Sequence, residues 1–81
     1  MSHIVNQDRD QIYLFTGNEP LYTAVIIYED TVIGFNLLMS DKALGTFDSL
    51  QEVVEEVNRI FNNKDEIYAI SGYSNGEFAA W

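Results

Sequence analysis

Residues 48–62, DSLQEVVEEVNRIFN, decide the fold class, because here the apolar spacing changes from the period of a strand to that of a helix. Leu50, Val53, Val54, Val57, Ile60 and Phe61 recur at the i, i+3, i+4, i+7 intervals of an amphipathic helix. At about 100° per residue they fall within an arc of roughly 120°. Asp48 or Ser49 suits the N-cap, and Ser49-x-x-Glu52 has the form of a capping box, in which two orphaned N–H groups are satisfied reciprocally. Phe47 stands just outside, placed to pack back over the first turn. Asn62-Asn63-Lys64-Asp65 ends the helix, with Asn63 suited to the left-handed conformation that closes many helices.

On either side of this helix the residue types are those of strands. Gln11–Thr16 (QIYLFT) is β-branched and aromatic and stops at Gly17-Asn18-Glu19-Pro20, a cluster of turn formers. Pro20 cannot donate a ladder hydrogen bond and so fits just before a strand. Leu21–Tyr28 (LYTAVIIY) is apolar almost without a break, which suggests a central strand covered on both faces. Glu29-Asp30-Thr31 makes a tight connection to Val32–Met39, which sets Ile33, Phe35, Leu37 and Met39 on one face. His3-Ile4-Val5 adds a short strand, with Asn6–Asp10 as its turn. After the helix, Glu66–Tyr73 and Glu77–Trp81 flank Ser74-Asn75-Gly76, and Asn-Gly is the strongest short hairpin signal. The sequence thus predicts one α+β domain over residues 1–81. Its antiparallel or mixed sheet has about five strands, in the order βββ-α-ββ, with the helix packed on one face.

Composition narrows the function. The 81 residues include 13 acids against 4 bases, a formal net charge of −9, yet 47% are hydrophobic. Disorder is disfavoured, since the Ile, Val, Leu, Phe and Tyr content can drive burial. Direct nucleic-acid binding is disfavoured too, because phosphate affinity comes from Lys and Arg, and only Arg9, Lys42, Arg59 and Lys64 are present. With no cysteine and a single histidine, His3, neither disulfides nor a structural metal is expected to reinforce so small a fold. Oligomerisation is then the available reinforcement, and a symmetric homodimer is the commonest closed assembly. Tyr13 and Phe15 share one face of their strand, and Tyr22 and Tyr28 share one face of theirs; these four are the candidate oligomer surface. No secretory leader is visible, and the longest apolar run is far short of the ~20 residues that span a bilayer, so a cytoplasmic protein off the membrane is expected.

No arrangement of residues points to catalysis, and no enzyme activity, cofactor or metal is expected. A nucleophilic triad would need His3 held beside a serine, and nothing in the sequence holds it. Asp8-x-Asp10 resembles the opening of a calcium loop, but Ile12 and Tyr13 occupy positions that need an oxygen donor and a glycine. Gly17-Asn18-Glu19 and Asn75-Gly76-Glu77 lack the spacing of phosphate-cradling loops, and their carboxylates would repel phosphate.

The helix offers the one patterned polar surface. Asp48, Glu52, Glu55 and Glu56 fall opposite the apolar arc, with Arg59 as the lone base and Glu55–Arg59 as an i,i+4 pair. Glu52 faces Glu55 and Glu56 at like-charge spacings, so helix stability does not account for the row. A row of carboxylates can imitate a phosphate backbone and be steered to the basic groove of a nucleic-acid-handling enzyme. In size and charge the chain is similar to small acidic inhibitors of bacteriophages and mobile elements that work this way. The expected partner surface is therefore Asp48, Glu52, Glu55 and Glu56, extended by Asp65 and Glu66, on a non-catalytic binding protein. The alternative expectation is a homo-oligomeric accessory protein that acts through its aromatic sheet face.

Overall fold

The computed structural model describes residues 2–72. Six strands and one helix follow in the order β1 (Ser2–Val5), β2 (Ile12–Phe15), β3 (Leu21–Tyr28), β4 (Thr31–Met39), β5 (Lys42–Phe47), α1 (Leu50–Asn62) and β6 (Ile67–Ala69). The α+β class holds, but the single sheet does not. The strands form two three-stranded sheets, ordered β2-β1-β6 and β3-β4-β5. The split lies at Gly17–Pro20. Gly17 turns the chain with φ 96°, the Glu19 carboxylate accepts from the Thr16 and Gly17 N–H groups at 2.9 and 3.2 Å, and Pro20 brings no donor. Consecutive strands β2 and β3 consequently belong to different sheets.

In the first sheet β1 is central, antiparallel to β2 and parallel to β6. The short strand read at His3–Val5 is thus the hub of this sheet. Its turn is closed by buried Asn6, whose Oδ1 accepts from the N–H groups of Asp10 and Gln11 at 3.0 and 3.1 Å. The second sheet is a meander. Glu29 and Asp30 join β3 to β4 with φ 50° and 62°, the paired left-handed geometry of a two-residue hairpin turn.

Two strand readings need correction, and one strand was not read at all. Leu21–Tyr28 is an edge strand, not a central one, and most of its side chains are exposed. Lys42–Phe47 is a strand that the period-two pattern hides, because a bulge interrupts it. Leu37 faces Gly45 while Leu38 faces Ala43, so Leu44 is an extra residue in the ladder. The bulge turns Leu44 into the core and leaves the buried pair Leu44 and Phe47 three residues apart, where alternation would give two or four. The strand read at Glu66–Tyr73 is shorter, Ile67–Ala69. The hairpin read around Asn75-Gly76, with Glu77–Trp81, lies outside the described residues.

The helix starts at the expected N-cap, but the Glu52 carboxylate takes the Ser49 hydroxyl where a capping box would use the Ser49 N–H. Ser49 is the N-cap, its Oγ accepting from Glu52 N–H at 3.2 Å and donating to Glu52 Oε2 at 3.1 Å. Its end differs, because Asn63 is extended with φ −66° and ψ 133°. Rather than entering the left-handed region, Asn63 caps with its backbone N–H, donated to Ile60 O at 3.3 Å, while its side chain brackets Asp65, donating to its carbonyl at 2.8 Å and accepting from its N–H at 3.3 Å. Val53 and Ile60 join Ile4, Phe15, Leu37, Met39, Leu44, Phe47 and Ile70 in one core between the helix and both sheets. Phe61 adds an edge-on contact to Phe15 with ring centroids 5.6 Å apart.

One turn residue joins the two sheets. Gln7 donates its backbone N–H to Leu44 at 2.7 Å, and its side-chain amide bridges Thr46 O at 2.8 Å, Thr46 N–H at 3.0 Å and Ser71 O at 3.0 Å. The amide thereby completes hydrogen bonds that a neighbouring strand would make along β5. Glycine at 45 is a condition of this approach, since a Cβ there would lie 2.7 Å from Gln7 Cβ. Gly45→Ala is expected to destabilise the protein by about 1–3 kcal/mol through this clash, read as a lower urea midpoint at unchanged slope.

Candidate functional site

Charge and apolar surface occupy different parts of the chain. Among the described residues no strand contains Asp or Glu, whereas every connection between elements does. Asp8 and Asp10, Glu19, Glu29 and Asp30, Asp41, Asp48, and Asp65 with Glu66 all sit in turns. The remaining described acids, Glu52, Glu55 and Glu56, lie on the helix.

The predicted acidic face is only partly assembled. Asp48, Glu52 and Glu55 are exposed along the first turns of α1, and Asp48 and Glu52 line a shallow groove of about 270 Å³ with Gln7, Thr46, Phe47 and Gly72. Asp65 and Glu66 are exposed beyond the other helix end, roughly 20 Å away along thirteen residues. Glu56 does not belong to this surface. Its relative exposure is 0%, and Arg59 bonds it at 2.7 Å, so the expected Glu55–Arg59 pair does not form. Glu55 instead accepts from Gln51 Nε2 at 3.1 Å.

A buried carboxylate is costly unless its lone pairs are filled. Here each oxygen of Glu56 receives two donors. Oε1 accepts from Arg59 and from Ser71 Oγ, and Oε2 accepts from Tyr68 OH and from Ser71 N–H. Burial pushes the Glu56 carboxyl up, but the bonds from Ser71, Tyr68 and Arg59 outweigh it and hold the group below the ordinary carboxylate value of 4.5. A carboxylate so stabilised is a poor base, and the Ser71 hydroxyl beside it is a donor to it. The cluster therefore locks the helix to the segment after β6. The sequence placed Glu56 outside because it lies at the edge of the polar arc; Tyr68 and Ser71, which draw it in, are distant in sequence.

The aromatic candidates also separate. Phe15 is in the core, and Tyr13 is half-buried with Lys42 Nζ 5.7 Å from its ring centroid. Tyr22 and Tyr28 are exposed, the Tyr22 hydroxyl donating to Ser40 O. Around these two lies a surface that the sequence reading missed. The far half of the β3–β4 hairpin bares Val25 and Ile27 with Val32 across from Ile27 on one face and Tyr28 on the other, with Ile33 at the register shift; Tyr22 shares the face of Tyr28 but lies at the opposite end of β3, across from Leu38. Ile27 is 64% exposed and Tyr28 62%, in an arm that no described element covers. The continuous apolar run was the available signal, but it says nothing about whether burial comes from the same chain. A second patch lies on the outer face of the first sheet, where Leu14, His3 and Ile67 stand in one row and Ile12, Val5 and Ala69 in the next.

Among the described residues no three His, Asp or Glu side chains converge as metal ligands, and no helix is long and apolar enough to cross a membrane.

Glu56→Gln is expected to cost about 2–3 kcal/mol, since its amide NH₂ must face two donors whichever way it points. Because the folded pKa is depressed, the stabilisation from Glu56 is complete above 4.5 and is lost as pH falls through the lower folded value. Urea midpoints of the parent should therefore fall below pH 4.5 more steeply than those of Glu56→Gln.

The chain matches no protein-family model, no curated protein and no solved structure.

Proposed function

We propose that the chain is a non-catalytic binding protein that works as a homo-oligomer, with the bare β3–β4 arm as its assembly surface. The observation that supports this most directly is the arm itself, a two-stranded projection with exposed apolar side chains on both faces. A monomer in water gains nothing from such a surface, and contiguous exposed apolar patches mark interaction sites. The acidic connections give the surrounding molecule the net charge that keeps a sticky particle soluble. Sedimentation velocity should show a dimer that persists at high salt. Ile27→Asp should return it to a folded monomer that unfolds at a temperature independent of protein concentration, whereas the parent's should rise with concentration, because the side chain contributes little to the core. A monomer at both low and high salt would remove this reading.

A second reading has its own support. Lys42 is paired with Asp41 at 3.2 Å and Arg59 with Glu56, while the exposed helix acids Asp48, Glu52 and Glu55 are in no ion pair with a described residue. In this reading the helix acids, extended by Asp65 and Glu66, dock on a basic protein that handles nucleic acid, and the chain competes with the phosphate backbone there. Affinity capture with the tagged chain should then retain a basic protein that elutes with salt. Glu52→Gln/Glu55→Gln should weaken that complex tenfold or more, with Glu56 left intact to preserve the fold; equal retention by both chains would defeat this reading.

A further inference from the structure

We infer that β3 is the seam of a symmetric dimer, its free edge pairing antiparallel with β3 of a second copy in a register centred on Ala24. This rests on the assembly reading above and specifies how the two copies meet.

The backbone supplies the first reason. Ser40 N–H donates to Pro20 O, which sets the even-numbered backbone groups of β3 toward β4. The N–H and C=O groups of Leu21, Thr23, Val25 and Ile27 consequently point to the free edge, and no described strand lies along it. A two-fold axis perpendicular to the sheet makes such strands antiparallel and keeps each face continuous across the seam. Centred on Ala24, it sets Leu21 opposite Ile27 and Thr23 opposite Val25, so all four free residues find partners. Thr23, Val25 and Ile27 then lie on one shared face, and Tyr22 meets Ile26 on the other.

The side chains supply the second reason. Natural sheet edges are blunted by charge, by an internal proline or by shortness. β3 is eight residues long and contains no charged residue, and Pro20 precedes it rather than interrupting it. Tyr22, Val25, Ile27, Tyr28, Val32 and Ile33 each leave about half or more of their surface bare. The four on β3 itself, Tyr22, Val25, Ile27 and Tyr28, expose on the order of 400 Å², so with the main-chain ladder between them the seam falls at the small end of specific interfaces. The second copy is the occupant because the edge is complementary to itself: the same four residues provide both sides of the ladder.

The register also predicts the salt response. Glu19 of one copy comes opposite Glu29 of the other at each end of the seam, a like-charge contact that screening relieves. The dimer should therefore tighten several-fold between low and high salt, opposite in sign to any complex made by the acidic helix.

Two measurements on the full chain test the seam. The protein has no cysteine, so Ala24→Cys introduces the sole thiol, and it lies on the two-fold axis. In a non-hydrogen-bonded antiparallel pair the two Cα atoms are about 4.5 Å apart, within disulfide reach. Ala24→Cys should oxidise to a covalent dimer at least tenfold faster than Thr31→Cys in the turn region. In the parent chain, amide exchange at Leu21, Thr23, Val25 and Ile27 should slow at least tenfold as protein concentration rises, while Tyr22, Ala24 and Ile26 stay protected throughout. A sedimenting dimer in which Ala24→Cys does not cross-link and the odd-numbered amides exchange freely would overturn the seam but leave the assembly reading standing. A monomer at every concentration would overturn both.

Discussion

The fold depends on one buried charge. Glu56 lies on the helix with no exposure to solvent, and an ionised carboxylate there is tolerated only because Arg59, Tyr68 and Ser71 fill its acceptor sites. Those donors come from the helix itself, from β6 and from the residue beyond the buried Ile70. The bonds consequently fix the rotation of α1 about its axis. With Glu56 turned inward, Val53 and Ile60 face the core, whereas Leu50 and Val54 are left half in solvent. The helix buries a narrower apolar stripe than its sequence offers, and the polar network makes up the difference. Hydrogen bonds are directional, so the network specifies one orientation where apolar contact alone would accept several.

Local chemistry was readable at several places where the determinants are close in sequence, though not at Asn63, whose side chain turns to Asp65. The N-cap at Ser49 and the short turn at Glu29 and Asp30 both lie where the sequence placed them. Readings failed where the deciding partner is remote. Glu56 looks like a surface acid until Tyr68 and Ser71 are placed beside it. Leu44 looks out of phase until the bulge against Leu37 and Leu38 is known. The division into two sheets depends on β1 choosing both β2 and β6 as neighbours, a pairing that no spacing within β1 announces. The candidate surfaces followed the same rule. Exposed Glu52 and Glu55 stayed where helical periodicity put them, and Phe15 moved inside because Phe61 and the core receive it.

The distribution of charge suits a protein that must keep strand faces available. Acids gather in connections, where side chains reach water whatever the packing, and the described strands carry Lys42 as their one fixed charge. Repulsion between molecules then acts mainly through the ends of strands, and the sides of the sheets remain neutral. Charge therefore opposes approach to a strand side only at its ends.

The contact between Gln7 and Gly45 has a consequence for how this sequence can diverge. Because Gln7 Cβ would lie 2.7 Å from a Cβ on residue 45, the approach excludes a side chain at 45 whichever non-glycine residue stands at 7. A side chain gained at 45 therefore requires the turn that carries Gln7 to move away from β5, with new partners for Thr46 and Ser71 in place of the Gln7 amide. Glycine at 45 should thus persist across relatives even where residue 7 varies, for as long as the turn keeps its approach to β5.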